Sequence, residues 1–581
     1  MNGLLRERRT WIIILLFGLG IAANILLLQN LNTLVWPYLW PRPAIFVIVG
    51  VVAAAVWMPE LFRGVWAVRI IGLVMVFIGQ SYVVHSFTVL AAHFSLIALM
   101  HFVGILGTFS VMALNYVNQF TPRNNRQAPP LPNELPYVAV VVPTYGEPVS
   151  ILEDTVIALK ALDYPPDRLY IFVSDDGHRP EVREMCRRQR IHYNKGARKD
   201  AKAGNLNSAL EHIAAHFPQA ALILTQDADE IIDPSFLKKT VGYFNDPLVA
   251  LVQTPKEAIA PPGDPFGVRD RVFYDVVQPG RNGAGAAFSC GSGVVWRIEA
   301  VRAIGGFVTW NIVEDLTTSY FLHSAGFRSE YHNEILTVGL APDDIPGLLK
   351  QRGTWAVDTW RLFLFKNPLK MPGLTLRQRM QYTELGLFYV STAFFMPLLM
   401  FTPVTSLLTG HFLPIEGSAL FPWLAASILY YTAMSRGVVE YFKRMWQYWV
   451  GHSPTYFKAF WIAIRSRHNK PSYKVTRKTR QSGFYGLLIW PQFAYLLLGL
   501  AAIINGLFGL PAVDLGVRLT NMGMVVFFMY MISGICGASL YGLQLPFVGM
   551  LRSLRTRTAQ AVAELTASPV QEAPSVLGGT D

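Results

Sequence analysis

The sequence predicts a membrane α-helical protein of about eight transmembrane helices with a cytoplasmic α/β domain inserted between the fourth and the fifth. Three observations predict it. Only 15% of the 581 residues are charged and 52% are hydrophobic, with mean hydropathy +0.32, whereas soluble chains are about a quarter charged. Apolar runs long enough to cross a bilayer fall into two blocks, one on each side of the chain's middle. Between the blocks, from about 135 to 370, short β-branched runs alternate with helical patterns.

The first block reads as helices at 11–29, 43–58, 69–90 and 94–116, and the second as helices at 384–409, 418–435, 483–506 and 519–542. A spanning helix needs roughly 20 mostly apolar residues. The N-terminus, MNGLLRERRT, is basic, and no small-residue cleavage site follows the first run, so that run is expected to stay as a helix. Arg6, Arg8, Arg9, Arg63, Arg69, Arg123 and Arg126 all fall on one side under this plan. So do the many Lys and Arg between 443 and 480, and Arg552, Arg555 and Arg557. Positive loops face the cytoplasm, which puts the insert and the C-terminus there. The net charge of +12 thus reads as membrane orientation, with nothing pointing to nucleic acid. Cys186, Cys290 and Cys536 lie far apart without ligand-like spacing, so neither a disulfide framework nor a zinc site is expected.

Within the insert, YVAVVVP (137–143), LYIFVS (169–174), ALILT (221–225) and LVALV (248–252) each end abruptly in polar residues. Helical patterns at 150–162 and 204–216 lie between them. Such alternation predicts a mostly parallel sheet, and ligands bind such sheets beyond the carboxyl ends of the strands. At one such end stands LILTQDADEII (222–232), which sets Asp227, Asp229 and Glu230 beside buried apolar residues. In an extended segment Asp227 and Asp229 share a face. Two carboxylates there suit a hard divalent cation, Mg2+ or Mn2+, that bridges nucleotide phosphates. A solvated loop is the other reading of the triplet taken alone.

The motifs VVPTYGEP (141–148), VSDDG (173–177), KAGNLNSAL (202–210), TQDADE (225–230), QTP (253–255), FSCGSG (288–293), VED (313–315) and QRGTW (351–355) occur in that order between membrane helices. The set resembles the processive family-2 glycosyltransferases, of which the bacterial cellulose synthase catalytic subunits are the nearest in pattern. The resemblance covers about 100–480. It implies a GT-A glycosyltransferase domain that uses a UDP-sugar, UDP-glucose in the cellulose synthases, and lengthens a polysaccharide chain with inversion. It also implies that the growing chain passes through the protein's own helices in the bacterial inner membrane, and it leaves room for a periplasmic accessory subunit.

The resemblance further implies roles for single residues. Thr144, Tyr145, Glu147, Asp176 and Lys202 lie at the nucleotide, with Asp227 at the diphosphate. Asp227 and Asp229 hold the metal, Asp229 the more directly. Glu314 and Asp315 of VED are catalytic, with Asp315 the general base that takes the acceptor proton. IVEDLTTSYFLHSAG also reads as a helix start, and a helix dipole there would keep the carboxylate ionised. Gln351, Arg352 and Trp355 lie at the acceptor and diphosphate, Trp355 as an aromatic platform for sugars or as an interfacial tryptophan. Cys290 and Gly291 lie near the acceptor, though Cys290 also reads as an ordinary buried thiol. Tyr473, Val475, Thr476 and Lys478 resemble the family's gating loop (about 470–480), in a stretch that alone reads as a basic loop near anionic lipid.

The domain plan is therefore an N-terminal transmembrane region (1–120), the glycosyltransferase domain (121–370), a second transmembrane region with interfacial helices and the gating loop (371–545), and a short basic tail of disordered composition (546–581). The tail is too short for the cyclic di-GMP-binding PilZ domain that cellulose synthases often carry. Two positions depart from the family pattern. Thr354 stands where an arginine is expected to touch the diphosphate, and Lys256 follows QTP where histidine is usual. These departures keep curdlan-like, mixed-linkage and UDP-GlcNAc-dependent chitin- or hyaluronan-like synthesis in view, and, from another class, an export component with weakened catalysis. Polar residues in the helices, among them Gln80, Tyr82, His85, Asn115, Tyr116, Tyr430 and Tyr431, read as channel lining or as interhelical packing.

Overall fold

The computed structural model describes residues 64–541 except 416, 436–438, 472–482 and 484. The expected helices at 11–29 and 43–58, the gating-loop residues Tyr473, Val475, Thr476 and Lys478, and the tail lie outside the described residues.

The α/β domain is built on a seven-stranded sheet in the order β3-β2-β1-β4-β8-β6-β9. Its strands are β1 (Tyr137–Thr144), β2 (Leu169–Asp175), β3 (His192–Lys195), β4 (Ala220–Thr225), β6 (Val249–Gln253), β8 (Val294–Arg297) and β9 (Arg328–Tyr331). A three-stranded sheet, β5-β10-β7, sits beside it, with β5 (Glu230–Ile232), β7 (Lys256–Ile259) and β10 (Thr337–Leu340). The large sheet is parallel as expected except at β8, which runs antiparallel to both β4 and β6. The four β-branched runs fall on β1, β2, β4 and β6.

Period-two alternation explains the two layers of core. Val138, Val140 and Val142 pack against α3 (Val149–Lys160) and α4 (Pro180–Gln189) through Leu152, Val156, Val182 and Met185. Ala139 and Val141 face the other way, onto Leu206, Ala209 and Ile213 of α5 (Ala201–His216). Each fully buried valine of this strand stabilises the fold by about 1.5–3 kcal/mol. Cys186 belongs to the first of these layers, a core thiol.

The chain is a multi-pass membrane protein. Among the described residues, five helices are long and apolar enough to cross a membrane: α1 (Val65–Ala92), α2 (Leu96–Asn118), α8 (Leu376–Thr409), α12 (Gly486–Gly509) and α13 (Leu515–Ser539). The segment expected at 418–435 is α9 (Gly417–Met434), a shorter apolar helix that shares a core with α1 and α2 through Trp423, Ala426 and Tyr430. Arg69 donates to the Phe120 carbonyl (2.9 Å), which sets the start of α1 beside the end of α2 where the α/β domain begins. Several intramembrane polar residues make interhelical hydrogen bonds. Tyr82 meets His101 (3.0 Å), Tyr430 donates to Asn115 (2.8 Å), and Asn115 and Asn118 each donate to Glu384 (2.6 Å).

Four more helices are longer than two turns: α6 (Glu314–Ser324) and α7 (Ile345–Phe365) in the α/β domain, and α10 (Val439–Gly451) and α11 (Ser453–Arg465) between α9 and α12. Helix α7 lies against α11, where the Trp360 indole donates to the Tyr456 carbonyl (3.2 Å).

Candidate active site

The carboxyl ends of β2, β1 and β4 lie side by side, with Thr144 opposite Asp175 and Val141 opposite Thr225. At the end of β1 the chain folds around Glu147. Its Oε2 accepts from the Thr144 hydroxyl (2.7 Å) and from the amides of Tyr145 (2.9 Å) and Gly146 (3.2 Å). Arg179 donates to Thr144 Oγ1 (2.8 Å) and to the Glu147 carbonyl (2.6 Å). At the end of β2, buried Asp175 accepts from the amides of Gly177 (2.9 Å) and Arg179 (2.6 Å). Its neighbour Asp176 accepts from the Arg198 amide (3.0 Å), and burial pushes its carboxyl above the ordinary range. Tyr145, 58% exposed, stands open at this edge. Asp175 and Arg179 hold the edge in shape, and the sequence reading passed over both. The first aspartate of a DDG turn, followed by an arginine four residues later, was the available signal.

At the end of β4 the chain does not stay extended. It turns at Ala228 and Asp229, and the Glu230 amide donates back to the Asp227 carbonyl (3.4 Å). Ala228 packs into the core with Ile232, and that burial bends the segment. The premise that Asp227 and Asp229 alternate along a strand is therefore corrected to a turn. Asp229 is 9% exposed. The crowding of carboxylates is offset by cations from elsewhere in the chain. Lys202, on the first turn of α5, reaches Asp227 (2.6 Å), the Gly291 carbonyl (2.7 Å) and Glu314 (3.5 Å). Lys256, on β7, reaches Glu230 (3.0 Å), and Ser292 joins the two halves by donating to Glu230 (2.5 Å) while accepting from the Asp227 amide (2.8 Å). Burial works against the Lys202 and Lys256 ammonium groups, but the carboxylates around them outweigh it and raise both above the ordinary lysine value.

Asp315 lies on the first turn of α6 and accepts from the Leu316 amide (2.6 Å). Gly291 fixes how close the opposite wall comes. Its φ is +87°, and a Cβ there would lie 3.1 Å from Asp315 Oδ2 and 3.4 Å from the Lys202 ammonium. Glycine alone suits both the left-handed backbone and the space. Burial first, and then Glu314, push the Asp315 carboxyl up to about 7, while the Leu316 amide, Lys202 and Lys256 pull against them. The structure thus gathers Lys202, Asp227, Gly291, Glu314 and Asp315 from four separate segments.

Gln253 of QTP, fully buried, holds the 290–293 loop in place. It accepts from the Cys290 amide (2.7 Å) and donates to the carbonyls of Ser292 (2.9 Å) and Gly293 (3.1 Å). The Cys290 thiol accepts from Gln278 (3.4 Å), and burial pushes it up to about 12, so it stays protonated. On α7, Gln351 and Trp355 are half-buried. Arg352 gives both Asp270 oxygens a hydrogen bond (2.9 Å each) and stacks over Trp355 (4.8 Å). The Thr354 hydroxyl returns to the Lys350 carbonyl (2.9 Å). The position where an arginine was expected thus carries no charge, and Arg352 is committed to Asp270. Lys256, noted in the sequence only as a departure, proves to be a half-buried cation among Glu230, Asp227 and Asp315.

Residues 136–357 match the family described as glycosyltransferase like family 2. Cellulose synthase 1 of Komagataeibacter xylinus is 34% identical over 302 residues, which cover 48% of this chain and 19% of that protein. The UDP-forming cellulose synthase catalytic subunit of Pseudomonas fluorescens is 36% identical over 268 residues, 44% of this chain and 35% of that one. The chain spans less than half the length of the curated relatives it matches. Among solved structures, a mannosyltransferase of Pyrobaculum calidifontis in complex with GDP-Man and Mn2+ aligns with a TM-score of 0.45 at 19% identity, covering 59% of this chain and 98% of that one.

Proposed function

We propose that the chain, whose residues 136–357 match glycosyltransferase like family 2 and are similar to bacterial cellulose synthase catalytic subunits, is a processive, inverting β-glycosyltransferase. It polymerises glucose from UDP-glucose into a cellulose-like β-glucan and passes the polymer through its own membrane helices. In this reading 121–370 is a cytoplasmic GT-A domain between transmembrane regions 1–120 and 371–545, in the inner membrane. One observation carries it: Asp315, a carboxylate on a helix start, and the Lys202–Asp227 pair come together on the side of Gly291 that a side chain would fill.

The chemistry follows from that geometry. An acceptor hydroxyl oxygen bonds to the anomeric carbon as the bond from that carbon to the diphosphate breaks. The hydroxyl proton passes to Asp315, and the electron pair leaves with UDP. A base poised near neutral pH suits this transfer, and the Asp315 carboxyl at about 7 meets that need. Lys202 neutralises charge on the donor side, and Trp355 offers the acceptor sugar a flat apolar face. Thr144, Tyr145, Glu147 and Asp176 form the nucleoside edge.

Asp227 and Asp229 would hold Mg2+ or Mn2+. Their donors are hard carboxylate oxygens at a turn, and Asp227 already faces one cation in Lys202. Among the described residues no group of three or more His, Cys, Asp or Glu ligands gathers, so phosphate oxygens and water would complete the shell, as is usual for Mg2+. When bound, the ion supplies charge neutralisation on the leaving diphosphate.

The test uses purified full-length protein in lipid with Mg2+ or Mn2+ and labelled UDP-glucose or UDP-GlcNAc, offered separately. Polymer from UDP-glucose, absent with Asp315→Asn and degraded by a β-1,4-glucanase, is the expected result. Degradation by another glucanase reassigns the linkage, and polymer from UDP-GlcNAc alone reassigns the sugar. UDP release without polymer overturns processive synthesis.

A further inference from the structure

The stretch QRGTWAVDTWR contains an acidic residue that the reaction above leaves without a role. Asp358 lies on α7, 1% exposed, three residues beyond Trp355 and so on a neighbouring position of the same helical face. Both of its oxygens are engaged by backbone. Oδ1 accepts from the Ile312 amide (3.0 Å) and Oδ2 from the Val313 amide (2.7 Å). These are the two residues immediately before Glu314 and Asp315. Two neighbours make the grip mutual. Asn311 donates to the Asp358 carbonyl (3.0 Å) and to the Thr317 hydroxyl (3.1 Å). Arg361, one turn further along α7, donates to the Trp310 carbonyl and to Asn311 Oδ1 (3.1 Å each) and stacks on the Trp310 ring (4.7 Å). Asn311 and Arg361 are fully buried.

The start of α6 has no side-chain cap of its own, because its N-cap residue is Val313. Its approach is held from another helix instead. A carboxylate that spans two successive amides fixes the direction in which the chain enters α6, and so fixes where the first-turn residue Asp315 points. We propose that Asp358 is a positioning residue that sets Asp315 against the acceptor seat, by clasping the 312–313 backbone from the same helix that carries Trp355. The base and the platform for the acceptor sugar thereby move as one piece. A buried acidic side chain is a costly way to hold a loop, and burial pushes Asp358 up to about 8 against the pull of its two amide bonds. A group kept at that cost in this place is expected to serve alignment.

This inference rests on the reading of Asp315 as the base. Its test uses the full-length protein in lipid with UDP-glucose, and measures kcat, KM for the donor and the stoichiometry of UDP binding. Asp358→Asn keeps the shape and one acceptor oxygen, and should lower kcat by about tenfold. Asp358→Ala loses both bonds and should lower it by about a hundredfold, the scale of a misplaced catalytic group. KM for UDP-glucose and the number of UDP sites per chain should stay as in the wild type. Wild-type kcat in Asp358→Ala overturns the proposal, as does a loss of rate that tracks a loss of UDP sites, since that is the mark of a merely structural role. If Asp358→Ala does not fold, Asn311→Ala loosens the same loop with every charge in place, and wild-type kcat there overturns the proposal equally. A wild-type protein that transfers no sugar overturns the proposed function and this inference with it, whereas an active wild type with unaffected variants overturns this inference alone.

Discussion

Lys202 and Arg352 are both cations sunk into the molecule, with side chains 22% and 14% exposed, yet their surroundings differ in balance. Arg352 meets one carboxylate, Asp270, through a hydrogen bond to each oxygen, and covers its remaining face with Trp355. Charge is matched one to one, and the pair needs nothing more. Lys202 faces Asp227 and Glu314 directly and feels Asp315 as well. With Lys256 and its partner Glu230 counted, four carboxyl groups (Asp227, Glu230, Glu314 and Asp315) share two ammonium groups, so the cluster holds more anion than cation. A matched buried pair holds structure in place. An unmatched one is poised to take a proton or a cation, which is what the proposed sugar transfer requires.

Substitutions can break or sharpen this contrast. The largest effect is expected from Asp315→Asn, which should reduce sugar transfer by about 10²–10⁴-fold. In the wild type, kcat/KM should fall on the acid side of about pH 7, where the Asp315 carboxyl gains its proton; a pH-rate profile reads this, and a flat profile down to pH 5 would remove Asp315 from the role of base. Next, Lys202→Met leaves Asp227 and Glu314 without their shared partner. Activity should drop by about 10²-fold and stability to denaturant by about 2 kcal/mol, less than for a fully sealed pair because the lysine is partly exposed. Gly291→Ala should cost about 1–2 kcal/mol through its left-handed backbone, and should lower kcat by about tenfold as the new methyl presses on Asp315. Arg352→Lys should lose about 1 kcal/mol of stability with the ring stack and the Nη2 group that reaches both Asp270 oxygens, while kcat stays within about twofold. A larger loss of kcat would move Arg352 out of the structural class and into the chemistry.

Stability should also vary with pH. Asp315 and Asp358 both carry folded-state values above the ordinary carboxylate range, at about 7 and about 8. The folded protein therefore keeps protons that the unfolded chain has already released. Their contribution to stability is full below about pH 4 and is lost as pH rises to about 8. Denaturant titrations of the wild type and Asp358→Asn across that window should show a shallower slope in the variant.

Much of this was legible before any coordinates. The strands β1, β2, β4 and β6 announce themselves as β-branched runs cut off by polar residues, and their carboxyl ends do meet. The five long apolar helices were readable by length alone. The short strands β3, β8 and β9 carry too few residues for a pattern, and the reversal at β8 is set by its neighbours β4 and β6. The turn at Ala228 was missed because its cause is a packing contact with the core. Lys256 beside Glu230, and Asp358 beneath Val313, are pairings across 26 and 45 residues of chain, and no local pattern reports them. Asp175 and Arg179 are legible locally, as the first aspartate of a DDG turn and an arginine four residues on.

The loop at 264–268 bears on how this protein can be handled. Phe266, 1% exposed, meets the ring of Tyr541 (5.5 Å), and the Tyr448 hydroxyl donates to the Pro265 carbonyl. Phe266, Val268, Ile345 and Leu348 share one core with Val404 of α8 and with Val525 and Ile532 of α13. A fragment cut at 121–370 would bare those side chains to water, and such apolar patches drive self-association. Crystallisation trials or inhibitor screens on the excised domain would meet an aggregating fragment. Nanodiscs carrying the whole chain are the practical starting material.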